Sequence, residues 1–238
     1  MSKFYDEIAL YYNDIFPVQE VKLNLIFEQL PSVSSDILDV ACATGGYSIE
    51  LASLGHQVTA IDLDVQMIQE LKDKNTRIDA RVMNMLNIES INKTFDLIYC
   101  FGNSIVHLDT IADVKAFFLS CYQTLKPDGQ FLFQVINYDR ILDQHIDHLP
   151  TIHNADAKLS FIRNYSYLQD EHKIAFHTIL QVDDYIRENT VKLLPIRHEE
   201  LIEALTEAGF QVIKTYGDFM KQAFDAQKSV PCVMIAKK

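Results

Sequence analysis

Along residues 36–137, short apolar runs alternate with segments of helical spacing. "DILDVA" (36–41), "QVTAID" (57–62), "DARVMN" (79–84), "FDLIYCF" (95–101) and "GQFLFQVIN" (129–137) predict strands. The unbroken run "FDLIYCF" is what a strand buried on both faces looks like. Between them, "GGYSIELASLG" (45–55) places Ile49, Leu51, Ala52 and Leu54 at helical spacing, with Gly55 as a stop. "DVQMIQELKDK" (64–74) sets Val65, Ile68 and Leu71 on one face, with Asp64 at the N-cap position. "IADVKAFFLSCYQTLK" (111–126) predicts a longer helix ended by "PDG" (127–129). This rhythm predicts an α/β fold, a doubly wound and mostly parallel sheet with helices on both faces.

The rhythm changes near residue 140. "AKLSFIRNYSYLQ" (157–169), "KIAFHTILQVDDYI" (173–186) and "NTVKLLPI" (189–196) read as three strands without helices, a small antiparallel β insert spanning about 140–196. "RHEELIEALTEAG" (197–209) predicts a helix. "FQVIKTY" (210–216) and "PCVMIAKK" (231–238) predict two closing strands. The 14 residues between those strands are too few for a helical crossover, so the pair is expected to be antiparallel. The chain reads as one domain over 1–238, with residues 1–30 as an N-terminal cap segment.

Composition narrows the partners. The 238 residues are 48% hydrophobic, ample for one core, and carry a formal net charge of -12 with no basic cluster. A nucleic-acid backbone would be repelled on average, so no nucleic-acid partner is expected. Cys42, Cys100, Cys121 and Cys232 are widely spaced, without a C-x-x-C, and read as small buried apolar residues. The N-terminus "MSKFYDEIALYY" lacks the basic and apolar regions of a signal peptide. No run approaches the ~18 apolar residues of a membrane span. The expectation is a cytoplasmic protein without a membrane partner; its oligomeric state is not legible.

The candidate chemistry lies in "DVACATGGYS" (39–48). The first strand–helix turn of a doubly wound sheet is a ligand cradle. A dinucleotide would seat its pyrophosphate there over G-x-G-x-x-G. Here Ala41 and Ala43 occupy the first two glycine positions, and Asp39 would repel an anion. S-adenosylmethionine has no phosphate and a cationic amino-acid end, which Asp39 attracts. Gly45 and Gly46 would let the backbone approach it. Asp62 ends the second strand, 23 residues after Asp39, where a carboxylate accepts from ribose hydroxyls. That role suits either ligand. Met67 and Met85 face the adenine or simply fill the core. Asn84 meets the adenine edge or makes an Asx turn.

At these residues the chain resembles the class I S-adenosylmethionine-dependent methyltransferases. "ILDVACATGGYS" is similar to their first motif, "VTAIDLDVQMI" to their acidic loop after strand two, "FDLIYCFGNSIVHL" to their fourth motif, and "LKPDGQFLFQV" to the entry of their fifth strand. The resemblance implies a Rossmann-like seven-stranded sheet ending in an antiparallel C-terminal strand, and S-adenosylmethionine as cofactor. It implies cofactor contacts at Ala41, Leu63 and Phe101 beside those above. A narrower likeness, to glycine and sarcosine N-methyltransferases, rests on "LDVACATG", "GNSIVHL" (102–108), "NYDRIL" (137–142), "GDF" (217–219) and "VPC" (230–232). Ala43 stands where that family has glycine, a change that costs stability only at positive φ.

The implied reaction attaches a methyl group to a small-molecule acceptor, an amine nitrogen by preference. RNA or protein methylation, a nicotinamide-dependent oxidoreductase and a binding protein without activity remain alternatives. Asn103, Ser104, His107, Asn137 and Tyr138 are expected beside the acceptor. Asn137 would orient the nucleophile, and His107 would act as base or cap a helix. Tyr5, Tyr11 and Tyr12 lie in a segment that can fold over the cofactor; the resemblance favours Tyr11 or Tyr12 against the sulfonium. Aromatic residues of the insert would cover the pocket.

Overall fold

The computed structural model describes residues 8–31, 34–74 and 77–238. Five strands run parallel: β1 (Asp36–Val40), β2 (Gln57–Asp62), β3 (Asp79–Val82), β4 (Phe95–Cys100) and β5 (Leu125–Ile136). The insert supplies β6 (His148–Asn154), β7 (Leu159–Leu168), β8 (Lys173–Val182) and β9 (Tyr185–Leu193). β10 (Val212–Tyr216) and β11 (Pro231–Lys237) close the chain. The main sheet has the order β10-β11-β5-β4-β1-β2-β3, with β11 antiparallel to both β5 and β10. Strand order reverses between β1 and β4, so the carboxyl ends of those strands flank the ligand-binding crevice.

The helices are α1 (Tyr12–Ile15), α2 (Glu20–Phe27), α3 (Gly46–Ser53), α4 (Val65–Lys74), α5 (Ile111–Thr124), α6 (Tyr138–Asp143) and α7 (His198–Ala208). Alternation along the strands separates two cores. Leu38, Val40, Ile98 and Phe131 pack with Phe117 of α5 and Leu201 of α7. Ile37, Leu97, Tyr99 and Leu132 pack on the other face with Ile26 of α2, Leu51 of α3 and Leu71 of α4. Local signals fix the ends. Asp64 Oδ1 accepts from Gln66 N and Met67 N, starting α4, and Thr110 and Asp113 form a capping box on α5. Among the described residues, no helix is long and apolar enough to cross a membrane.

Two expectations are corrected. The helix α5 stops two residues short of "PDG". The helix ends at Thr124 because Lys126 precedes Pro127 and resists the helical region, so Leu125 is already extended. Residues 126–129 then bulge out of β5: Phe95 pairs with Leu125, but Leu97 pairs with Gln130. The insert has four strands rather than three, in the order β6-β7-β8-β9. β6 contains Pro150 and little alternation, as an edge strand tolerates. The last hairpin turns at Asp183 and Asp184, where Val182 pairs with Tyr185, not near residue 187.

Candidate active site

The turn after β1 is wound through three left-handed residues: Ala41 (φ 58°), Ala43 (φ 49°) and Gly45 (φ 74°). The position where the glycine/sarcosine family has glycine thus does require positive φ, at a cost of roughly 1–2 kcal/mol for alanine. Hydrogen bonds to the end of β2 hold the turn: Cys42 N donates to Ile61 O at 3.0 Å, and Ala43 N to Asp62 Oδ2 at 2.9 Å. The glycine pair also makes room for neighbouring elements. A Cβ on Gly45 would stand 2.3 Å from Leu71 Cδ1, and one on Gly46 2.7 Å from Val18 Cγ2. The missing side chains admit α4 and the cap segment to the turn.

Asp39 is 4% exposed, on the face of β1 that carries the second core. Ser48 Oγ donates to its Oδ2 at 2.6 Å. Burial raises its pKa to about 7, against the lowering effect of Ser48 and of the nearby Tyr99 hydroxyl. Tyr99 Oη lies close enough to influence that carboxyl but makes no well-formed hydrogen bond. A buried acid with no cation beside it is suited to receive one. Next to it, the Phe101 ring touches Tyr47, Tyr99 and Phe219, with centroids 5.9, 5.4 and 5.2 Å away. Lys22 Nζ sits 4.9 Å from the Phe219 centroid and 6.0 Å from that of Phe101, with its pKa lowered by burial. Among the described residues no carboxylate pairs with Lys22. Sequence reasoning missed Lys22, because one lysine in the helical stretch "EVKLNLIF" has no distinguishing spacing. Acid and base here match the zwitterionic tail of S-adenosylmethionine.

Asp62 closes β2, its second oxygen accepting from Asp64 N at 2.9 Å. Burial raises its pKa. Leu63 beside it is 49% exposed, whereas Met67 is buried with Ala43 and cap residues Ile8, Ala9 and Ile15. Asn84 makes the Asx-type turn: its Oδ1 accepts from Leu86 N at 2.9 Å. Met85 follows it, half-buried against the larger core.

The acceptor side is built from the β4 and β5 ends. Asn103 (φ 66°) accepts from Ile136 N and donates to Tyr138 Oη at 3.0 Å. Ser104 Oγ donates to Phe101 O, the bond of a turn residue. His107 lies at the surface of the 3-10 turn Ile105–His107, while neighbouring atoms desolvate its ring enough to lower its pKa. Asn137 makes its hydrogen bonds within the protein. It is 2% exposed; its Nδ2 donates to the carbonyls of Ala226 and Ser229 at 3.0 and 2.9 Å, and its Oδ1 accepts from Arg140 N. That amide fastens the loop before β11 and caps α6.

The cap segment covers these ends. Thr44 Oγ1 donates to Asn13 Oδ1, Gln19 N to Tyr47 Oη, and Asn154 Nδ2 to Asp14 O. A Cβ on Gly102 would stand 4.0 Å from Tyr12 Oη, which places Tyr12 at the end of β4. Tyr11 is half-buried against the cap cluster, and Tyr5 lies outside the described residues. Phe161 and Tyr165 of the insert face inward and are buried; Tyr167 and Tyr185 are exposed.

Comparison with known proteins agrees with this geometry. A family described as "Methyltransferase domain" matches residues 37–129. The chain is 30% identical over 200 residues to the putative methyltransferase YqeM of Bacillus subtilis, covering 80% of this chain and 79% of that one. It is 29% identical over 195 residues to a glycine/sarcosine N-methyltransferase of Aphanothece halophytica, covering 78% and 69% respectively. The crystal structure of an S-adenosylmethionine-dependent methyltransferase from Clostridium acetobutylicum superposes with a TM-score of 0.81 at 19% identity, covering 98% of each chain. With this fold, and with a turn whose charges suit a zwitterionic nucleoside, the chain belongs to the class I S-adenosylmethionine-dependent methyltransferases, and S-adenosylmethionine is its methyl donor.

Proposed function

We propose that the chain methylates an amine nitrogen of a small acceptor. The observation that carries this is the reach of the sequence likeness. The family match stops at residue 129, whereas alignments with glycine/sarcosine N-methyltransferases run for 195 and 197 residues and so extend beyond the shared cofactor half. When bound, S-adenosylmethionine supplies an electrophilic methyl group: the acceptor lone pair forms the C–N bond and the C–S electron pair leaves with sulfur. Asp39 would accept from its ammonium, Lys22 would face its carboxylate, and Asp62 would accept from the ribose hydroxyls. Met85, Asn84 and Leu63 would border the adenine, and Ala41, Gly45 and Phe101 the methionine end. Met67 supports the turn from beneath. Tyr12 would lie near the methyl, where its ring face attracts positive charge.

The amine must arrive neutral. His107, whose pKa desolvation lowers, would be the acid–base group at the rim. Most of the acceleration would come from alignment in a covered site, an effect worth roughly 7–11 kcal/mol in favourable cases. The test is S-adenosylhomocysteine formation across a panel of amines, phenols and carboxylic acids. Turnover with amines, glycine and sarcosine among them, is expected. Turnover confined to phenols would overturn the amine reading.

A further inference from the structure

A buried hydroxyl without a partner lies beside Asp39, and the register of the sheet puts it there. Asp39 pairs with Ala60 of β2 on one side and with Tyr99 of β4 on the other. Tyr99 pairs in turn with Leu132 of β5. The four side chains form one row on the face that carries the second core. Ala60 and Leu132 close the row with hydrocarbon, and Asp39 and Tyr99 are its polar members.

The surroundings are dry. Tyr99 is 1% exposed, and Ser48 of α3 is fully buried. Ser48 Oγ donates to Asp39 Oδ2 at 2.6 Å. Tyr99 Oη lies next to both groups, yet among the described residues it has no hydrogen-bond partner. Phe101 holds the Tyr99 ring, with centroids 5.4 Å apart and planes inclined at 48°. A buried hydroxyl left unpaired costs stability, and phenylalanine would fill the same space without that cost. The hydroxyl fits a state other than the ligand-free one.

That state is the one in which Asp39 is ionised. The other titratable groups that face Asp39 are Tyr47 of α3, Cys42 of the turn, Cys100 of β4 and Asp62 at the end of β2. None of these is a cation. Tyr47 Oη is engaged by Gln19 N. On the core side, the hydroxyls of Ser48 and Tyr99 are the donors that can answer a charge on Asp39.

Resting on the placement of the cofactor's ammonium group at Asp39, we propose that Tyr99 is a positioning residue for S-adenosylmethionine, its hydroxyl donating to Asp39 from the core side when the ammonium arrives from the crevice side. Ser48 already donates to Oδ2, so Tyr99 completes a pair of hydroxyls behind the carboxylate. The carboxylic proton leaves to solvent as the ammonium takes its place. The Tyr99 O–H then turns toward the carboxylate while its ring stays packed. A hydrogen bond to an ionised group is stronger than one to a neutral group, so this contact gains most in the loaded state. Tyr99 acts through Asp39 and takes no part in methyl transfer.

The test is calorimetry of the full chain with S-adenosylhomocysteine, which carries the amino-acid tail, and with 5′-methylthioadenosine, which lacks it. Tyr99→Phe keeps the ring and removes the donor. It should weaken S-adenosylhomocysteine at pH 7 by roughly three- to tenfold and leave 5′-methylthioadenosine unchanged. The rise of S-adenosylhomocysteine affinity with pH should move to higher pH in this variant, because the carboxyl ionises later. In an Asp39→Asn background the same substitution should change neither affinity. A structural role alone would weaken both ligands alike, or neither, and either result would overturn the proposal. So would a tail-specific loss that persists in the Asp39→Asn background. Carbon-13 NMR of the Asp39 carboxyl in the ligand-free protein separates this from the cofactor assignment. A titration moved upward by Tyr99→Phe, beside no S-adenosylhomocysteine binding by wild type, would overturn the cofactor's placement and leave the action of Tyr99 on Asp39 standing. An unmoved titration would overturn that action.

Discussion

Asp39 ties the site's chemistry to pH. Folded and ligand-free, its pKa is about 7, against an ordinary 3.8. Only the ionised form attracts an ammonium group. S-adenosylmethionine affinity should therefore rise between pH 6 and 7.5, roughly five- to tenfold, below the titration of the ligand's own amine. Calorimetry at the two values checks this, and Asp39→Asn should flatten the profile. The same shift acts on folding with the opposite sign. The unfolded chain releases this proton first, so Asp39 reduces stability as pH rises from about 4 through 7, and wild type minus Asp39→Asn isolates that slope. At Ala43, φ 49° makes Ala43→Gly stabilising by up to about 1 kcal/mol in urea melts; a net loss would contradict the strain. Thr178→Val should also raise ligand-free stability, by about 1 kcal/mol, because it removes an orphaned buried hydroxyl. Asp39 and Asp62 were legible because each ends a strand run. Lys22 was not, since only helix packing brings it beside Phe101 and Phe219.

Single side chains also hold whole elements in register. Asn137 donates two hydrogen bonds to the loop before β11, to the carbonyls of Ala226 and Ser229. Asn137→Ala should cost roughly 2–3 kcal/mol and raise hydrogen exchange over residues 225–230. An unchanged melt with selective loss of turnover would instead support the nucleophile-orienting role. The sequence signals that held were those with a local mechanism, such as the Asp64 cap, the helical spacing over 111–124 and the alternation in 173–182. "PDG" marked the helix end only to within two residues, because its proline also opens the bulge that follows. β6 was hidden because an edge strand containing Pro150 needs no alternation.

At the scale of the molecule, the main sheet and its closing antiparallel strands followed from the order of apolar runs. The relation of the cap to the four-stranded sheet did not. Both are tied across the carboxyl edge by Asn154 to Asp14 and by Phe16 to Phe161, contacts between segments about 140 residues apart in the chain. All of this rests on the crevice between β1 and β4 holding an adenosyl ligand with its ribose on Asp62. The most direct measurement is calorimetric titration of S-adenosylhomocysteine into wild type and Asp62→Ala, with a melt of each. The account predicts affinity at least roughly tenfold weaker in a variant that still folds cooperatively. Equal affinity in the two proteins would contradict it.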